Sequence, residues 1–212
     1  MYKVLKETII SSKNIRFEGD GYSDEWKEEA AKRGLTNICH VPEAIMHFND
    51  EQSRAVLIGE NIFNENEINC RIEVELEKYT KKVQIESRIL GDLAINHIVP
   101  TAVTYQNRLL ENLRGLRETF TPEEYEILGS DRKELVKEIQ LHIQAIKDLV
   151  QGMTEARRVS NRLGSQVEKA FSYEENVSPY LEKIREHIDE LEMEIDDEIW
   201  PLPKYRELLF TK

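Results

Sequence analysis

Apolar residues recur along most of this chain at helical spacing, and the longest such pattern runs from Glu65 to about Arg117. Ile68, Ile72, Leu76, Tyr79, Val83, Leu90 and His97 follow one another at three, four or seven residues, the spacing that keeps side chains on one face of a 3.6-residue turn. A second stripe of Val74, Ile85, Ile89, Leu93 and Val99 joins it from the middle onward, so Val83 to Val103 is apolar nearly all round. Such a segment has to be covered on several sides. Only Gly91 and Pro100 interrupt it. The pattern predicts a single helix of about 80 Å at 1.5 Å per residue, far beyond the ordinary three or four turns. It is an axle, and its neighbours are to be sought on either side.

On the N-terminal side, residues 3–13 read as a short helix, Ile15 to Phe17 as an extended piece and Gly19-Asp20-Gly21 as a turn. Ser23 is placed to cap a helix reaching Arg33, with Gly34 in the position that favours a left-handed residue. Pro42 fits the first turn of a helix over Glu43 to His47, and another covers Asp50 to Gly59. Asn64 and Glu67 form a capping-box pattern at the start of the axle. Beyond its far end, Thr121-Pro122-Glu123-Glu124 is a second box, followed by a short turn to Gly129. Asp131 and Glu134 make a third, opening a helix to about Ser160 with Leu135, Ile139, His142, Ile146, Leu149, Met153 and Ala156 on its apolar face. Asn161 to Ser165 is a tight turn. A third long helix spans about Gln166 to Ile199, with Val177, Leu181, Ile184, Ile188, Leu191 and Ile195 facing inward and Pro179 kinking it or restarting it with Ser178 as cap. The aromatic and leucine content of Trp200 to Phe210 predicts docking, on the bundle or on another subunit.

Short connections between long amphipathic helices give antiparallel neighbours. The expected fold is all-α, a long central helix in an antiparallel up-down-up bundle with a small N-terminal helical cap. Residues 1–62 form the segment of short helices and loops, and residues 63–212 the long-helix bundle with its docked tail. At roughly 45 and 50 Å, the second and third helices can sheathe only the C-terminal half or so of the axle. The half from Glu65 to about Ile89 is expected to pack on residues 1–62 or on something outside the chain.

Composition narrows the function classes. At 40% hydrophobic and 33% charged the chain is globular. Its net charge of -12 argues against nucleic acid and against an anionic membrane surface. It has no apolar run of membrane-spanning length and no signal-peptide core. Cys39 and Cys70 lack motif spacing and fit a reducing compartment. A cytoplasmic location follows from these together. Met1 to Ile15 starts at once with helical apolar spacing, as a fragment of a longer chain would.

Candidate chemistry is sparse. Di-metal bundle sites need Glu-x-x-His pairs, but Asn37, Ala44, Ala94, Ile139 and Ile184 stand three before His40, His47, His97, His142 and His187. There is no His-Glu-x-x-His and no Cys-x-x-Cys. Gly19-Asp20-Gly21 lacks the rest of a dinucleotide or phosphate loop and reads as a plain turn. Glu86 and His97 share the apolar face of the axle about 16 Å apart, too far for one acid-base pair. A carboxylate paired with Lys82 and a satisfied core histidine are the expected roles, and His142 is likewise expected in the core. Arg88 and Asp92 are spaced for an ion pair. The acidic run Asp189 to Glu198 has no EF-hand spacing and is expected to be a solvated helix face. No catalytic, cofactor-binding or metal-binding residue is assigned.

Five stretches carry a family resemblance: FEGDGYSDEW (Phe17 to Trp26), EEAAKRGL (Glu28 to Leu35), EVELEKYTKKVQIESRILGDLAINHIVPTAVTYQNRL (Glu73 to Leu109), MTEARR (Met153 to Arg158) and DDEIWPLPKYRELLF (Asp196 to Phe210). Together they resemble the C-terminal region of type III glutamine synthetases, the large bacterial class. The resemblance implies a parent enzyme, a glutamate-ammonia ligase, that makes glutamine from glutamate, ammonia and ATP through a γ-glutamyl phosphate. It implies Mg or Mn ions and large ring-shaped homo-oligomers in that parent. The family's metal, ATP and glutamate contacts belong to the preceding catalytic region, so none is carried onto a residue here. Residues 1 to about 20 are expected to be the end of that region. The segment itself is expected to be inactive, with a packing, assembly or regulatory role beside the catalytic region and neighbouring subunits. A free-standing helical module that self-associates is the competing expectation.

Overall fold

The computed structural model describes residues 1–209, and among these there is no strand. The N-terminal part comprises α1 (Tyr2–Ser11), a 3-10 turn at Lys13–Ile15, α2 (Asp24–Lys32), α3 (Val41–Met46) and α4 (Glu51–Gly59). Ser23 caps α2 by accepting from the Trp26 amide through its hydroxyl, and Gly34, with no Cβ to clash, takes φ +70°. Of the expected extended piece from Ile15 to Phe17, Ile15 instead closes the 3-10 turn, and Arg16 is extended. Phe17 stacks on Trp26, with ring centroids 4.7 Å apart, and Arg33 donates to the Arg16 carbonyl at 2.7 Å.

The axle is continuous but not uniform. It consists of α5 (Glu65–Leu93), a π-helical turn at Ala94–Ile98 and α6 (Val99–Thr119), about 80 Å in all. Both bonds of the expected box at Asn64 and Glu67 are present. The Val99 amide donates to the Ala94 carbonyl, five residues back. Pro100, directly after it, has no amide and would crowd the carbonyl four residues back in a regular α-helix, so the wider turn accommodates it.

Next come α7 (Pro122–Leu128), opened by the Thr121–Glu124 box, and α8 (Ser130–Asn161). No side-chain cap opens α8. It starts two residues earlier than the Asp131 box predicts, with Gly129 at the N-cap, where a Cβ would meet the Tyr125 carbonyl at 2.9 Å. The predicted third long helix is divided at Val177 into α9 (Gln166–Asn176) and α10 (Ser178–Glu194), with Val177 rather than Ser178 in the cap position. It ends at Glu194, not Ile199, since Ile195 turns extended while its side chain stays buried. Trp200 folds back into the core and Leu202 packs beside it. Lys204 ties this segment down through the Glu192 carbonyl and Asp197, both at 2.6 Å. The tail therefore docks on its own bundle, through Trp200 and Leu202; a short helix α11 (Tyr205–Leu208) follows, Leu208 and Leu209 are exposed, and Phe210 lies outside the described residues.

Two apolar clusters run along the axle. The larger joins Val83, Ile98 and Ala102 to Ile139, Ile143, Ile146 and Met153 of α8 and to Tyr173, Ile184 and Leu191 of α9 and α10. The smaller gathers Ile68, Ile72 and Leu76 with Ala170 of α9 and with Ile45, Leu57 and Phe63. Each fully buried Ile or Leu contributes roughly 1.5–3 kcal/mol by leaving water. The third helix thus covers the axle further toward its N-terminus than helix lengths alone predict, because α9 starts beyond the end of α8 and reaches Ile68. The remaining cover there comes from α3 and α4.

Candidate functional site

Three separate parts of the chain meet at one carboxylate. Tyr79 sits one turn after the buried Leu76 on α5, at the border of the apolar stripe. Glu174 follows the fully buried Tyr173 on α9, and His40 stands at the N-cap of α3. His40 Nδ1 lies 2.6 Å from one Glu174 oxygen, and the Tyr79 hydroxyl donates to the other. The hydrogen bond to Glu174 raises the His40 pKa, with Glu43 and Glu175 adding to the effect. Burial, and then the same carboxylate, push the Tyr79 phenol up, so it remains a hydrogen-bond donor.

A cleft of about 470 Å³ opens beside this cluster, with Glu75, Lys78, Lys82, Glu86 and Ser178 on its walls. Its lysines are matched with carboxylates on the same helix: Lys78 with Glu75 at 2.6 Å and Lys82 with Glu86 at 3.9 Å. His40, Tyr79 and Glu174 thus clasp α3, the axle and α9 together at the edge of the cleft. A second, apolar groove of about 350 Å³ lies between α4 and the axle, where Arg71 stacks 4.4 Å from the centre of the Phe63 ring.

The residues singled out in the sequence fall as follows. Glu86 is exposed and pairs with Lys82 as expected. His97 is not a core histidine: it is exposed, because the π turn adds a residue and brings Ile98 to the inward face. Asp92 does not pair with Arg88 but accepts from Asn96 Nδ2 at 2.6 Å. His142 is half-buried, and its Nδ1 lies 3.0 Å from His187 Nδ1 across the α8–α10 contact. One of these nitrogens must donate and the other accept. The acidic run is largely solvated, but Glu194 is half-buried with one oxygen unpartnered. Burial, with repulsion from Glu138 and Glu190, raises its pKa. Asp20 accepts from the Tyr22 amide at 2.9 Å, as a turn residue does. Cys39 and Cys70 are exposed free thiols. Among the described residues no three or more His, Cys, Asp or Glu gather where a metal ion could be held. No described helix is long and apolar enough to cross a membrane.

Sequence reasoning missed the Glu174 clasp. Its partners lie 134 and 95 residues away in the chain, and no local spacing signals them.

Comparison with known proteins covers most of the chain. The family model described as "Glutamine synthetase C-terminal domain" matches residues 1–117. A glutamine synthetase of Bacteroides fragilis (strain YCH46) is 73% identical over 212 residues, covering 100% of this chain and 29% of its own length. A type-3 glutamine synthetase of Dictyostelium discoideum is 30% identical over 216 residues, 99% of this chain and 29% of its own. A glutamine synthetase of Butyrivibrio fibrisolvens is 31% identical over a stretch of the same extent. The chain thus spans 29% of the length of these curated relatives.

Proposed function

The chain belongs to the glutamine synthetase C-terminal domain family, and from that premise we propose that it serves as the helical C-terminal region of a type III enzyme. The observation that carries this is an identity of 73% across the whole chain with a glutamine synthetase of which it spans only 29%. In the proposed parent, the preceding region joins ammonia to glutamate at the expense of ATP, with Mg or Mn ions held there, in a cytoplasmic homo-oligomer. This segment contributes packing, assembly or regulation, and none of its residues is given a catalytic, cofactor or metal role. The division at residue 62 belongs to the same proposal, with the start of residues 1–62 as the end of the catalytic region. The paired charges of the clasp support a structural part. Incubating the chain with glutamate, ATP, ammonium and Mg is expected to yield no glutamine. Sustained glutamine formation would overturn the reading.

Self-association is a second reading, favoured by Ile85 and Ile89, which remain 57% and 54% exposed on the axle. Light scattering separates the two, since the second requires a concentration-dependent oligomer of the chain alone.

A further inference from the structure

The groove between α4 and the axle has a buried floor, walls held by hydrogen bonds and an open side. Ile68 and Ile72, 1% and 7% exposed, form the floor, and Ile45 and Leu57 are half-buried in its walls. The rings of Phe48 and Phe63 complete the apolar lining, Phe48 with 53% of its surface exposed. Asn61 takes φ 54°, ending α4 in the left-handed conformation, and the amides of Ile62 and Phe63 both return to the Leu57 carbonyl, at 2.9 and 3.1 Å. Arg54 Nη1 donates to Asn49 at 2.8 Å and to Asn69 at 3.0 Å, so one guanidinium fixes α4 and the turn before it to α5. An apolar space of about 350 Å³ between fixed walls has the form and size of a small-molecule site.

One charge of the lining is uncommitted. Arg71 is exposed, its guanidinium lies 4.4 Å from the centre of the Phe63 ring, and it forms no ion pair among the described residues. The carboxylates one turn to either side of it are engaged elsewhere. Glu67 accepts from the Asn64 amide at 2.8 Å in the capping box, and Glu75, the other charged residue of the groove, pairs with Lys78 at 2.6 Å. Arg71 therefore offers the donor fork of a guanidinium beside an apolar space.

We propose that this groove binds an amphipathic monocarboxylate, its apolar or aromatic body on Ile68, Ile72 and the two phenylalanine rings and its carboxylate on Arg71. A planar guanidinium fork matches the two oxygens of one carboxylate. The apolar floor supplies no partner for a polar body, which would lose its hydrogen bonds to water there. The site requires nothing of any parent enzyme.

The test uses the full 212-residue chain with phenylbutyrate as the probe, phenylbutanol as the body without the charge and acetate as the charge without the body. Phenylbutyrate is expected to raise the Tm progressively with the logarithm of its concentration, as a ligand of the folded state does, while acetate at equal ionic strength does not. Titration calorimetry should find phenylbutanol about tenfold or more weaker than phenylbutyrate, the loss of one charge-assisted contact. Arg71→Gln should bring the acid down to the affinity of the alcohol and leave the alcohol unchanged, a split that a merely structural role of Arg71 would not produce. Phe48→Ser, at an exposed side chain, should weaken acid and alcohol alike. A Tm indifferent to phenylbutyrate, equal affinities of acid and alcohol for the wild type, or wild-type acid binding in either variant would overturn the proposal.

Discussion

Glu174 uses one oxygen for His40 and the other for Tyr79, so a single side chain of α9 fixes α3 against the axle. The His40 contact carries a pH dependence whose sign follows from its cause. Its folded pKa is raised, chiefly by the bond to Glu174, above an unfolded value of about 6.5. The stability it lends is therefore fully present below that unfolded value and is lost as pH rises through the folded one. After correction for intrinsic exchange chemistry, amides of residues 41–59 should be better protected near pH 6 than near pH 8. In Glu174→Gln that dependence should flatten, because the neutral amide no longer favours the imidazolium. Hydrogen exchange followed by mass spectrometry reads this, and a pH dependence unchanged in the variant would dismiss the clasp. Nothing in the sequence marks these residues. Tyr79 belongs to an apolar stripe, and the group that gives it a polar role comes from another helix.

At the scale of the element, the π turn shows how far a periodic pattern can be followed. Asn64 and Thr121 cap where their spacing says, because a capping box is local chemistry settled within four residues. Periodicity carried across Ala94–Ile98 fails by one position, since the inserted residue turns Ile98 and Ala102 inward and His97 outward. His97 was legible as a core residue only for a regular helix. The break at Val177 was visible in Pro179, whereas the end of α10 at Glu194 was not, because Ile195 stays buried on either side of that boundary. A deletion tests the register argument. Removing the exposed Asn96 takes out the extra residue and lets the segment close into α-helix with Ile98 still inward. Pro100 would then stand inside a regular helix at a cost of about 3 kcal/mol. Deleting Asn96 alone should therefore destabilise by about that amount, and adding Pro100→Ala to the deletion should restore most of it. Urea denaturation measures both. If the double change is no more stable than the deletion alone, proline is not the reason for the π turn.

Over the whole molecule, burial is distributed unevenly, and the unevenness separates what holds the bundle together from what is merely attached. The larger apolar cluster draws on the axle, α8, α9 and α10, the smaller on the axle, α9 and residues 45–63, and neither includes a residue of α1. On α1, Val4, Leu5, Ile9 and Ile10 are all more than half exposed, and the helix packs on the 3-10 turn that follows it. A helix of 10 residues is below the length of about 12–15 at which isolated helices become even marginal in water, and α1 buries no apolar face to compensate. Its amides should accordingly exchange at close to unstructured rates, while those around Ile139–Ile146 and Ile184–Leu191 open only with global unfolding. Removing residues 1–11 should leave the urea midpoint and slope of the bundle unchanged, and a loss above about 1 kcal/mol would place α1 within the cooperative core. The four exposed aliphatic side chains then acquire a use only in company. If residues 1–20 continue a catalytic region, as the proposed function holds, the same amides should become protected in the full-length enzyme. Equal exchange in both settings would remove α1 from the contact between the two regions.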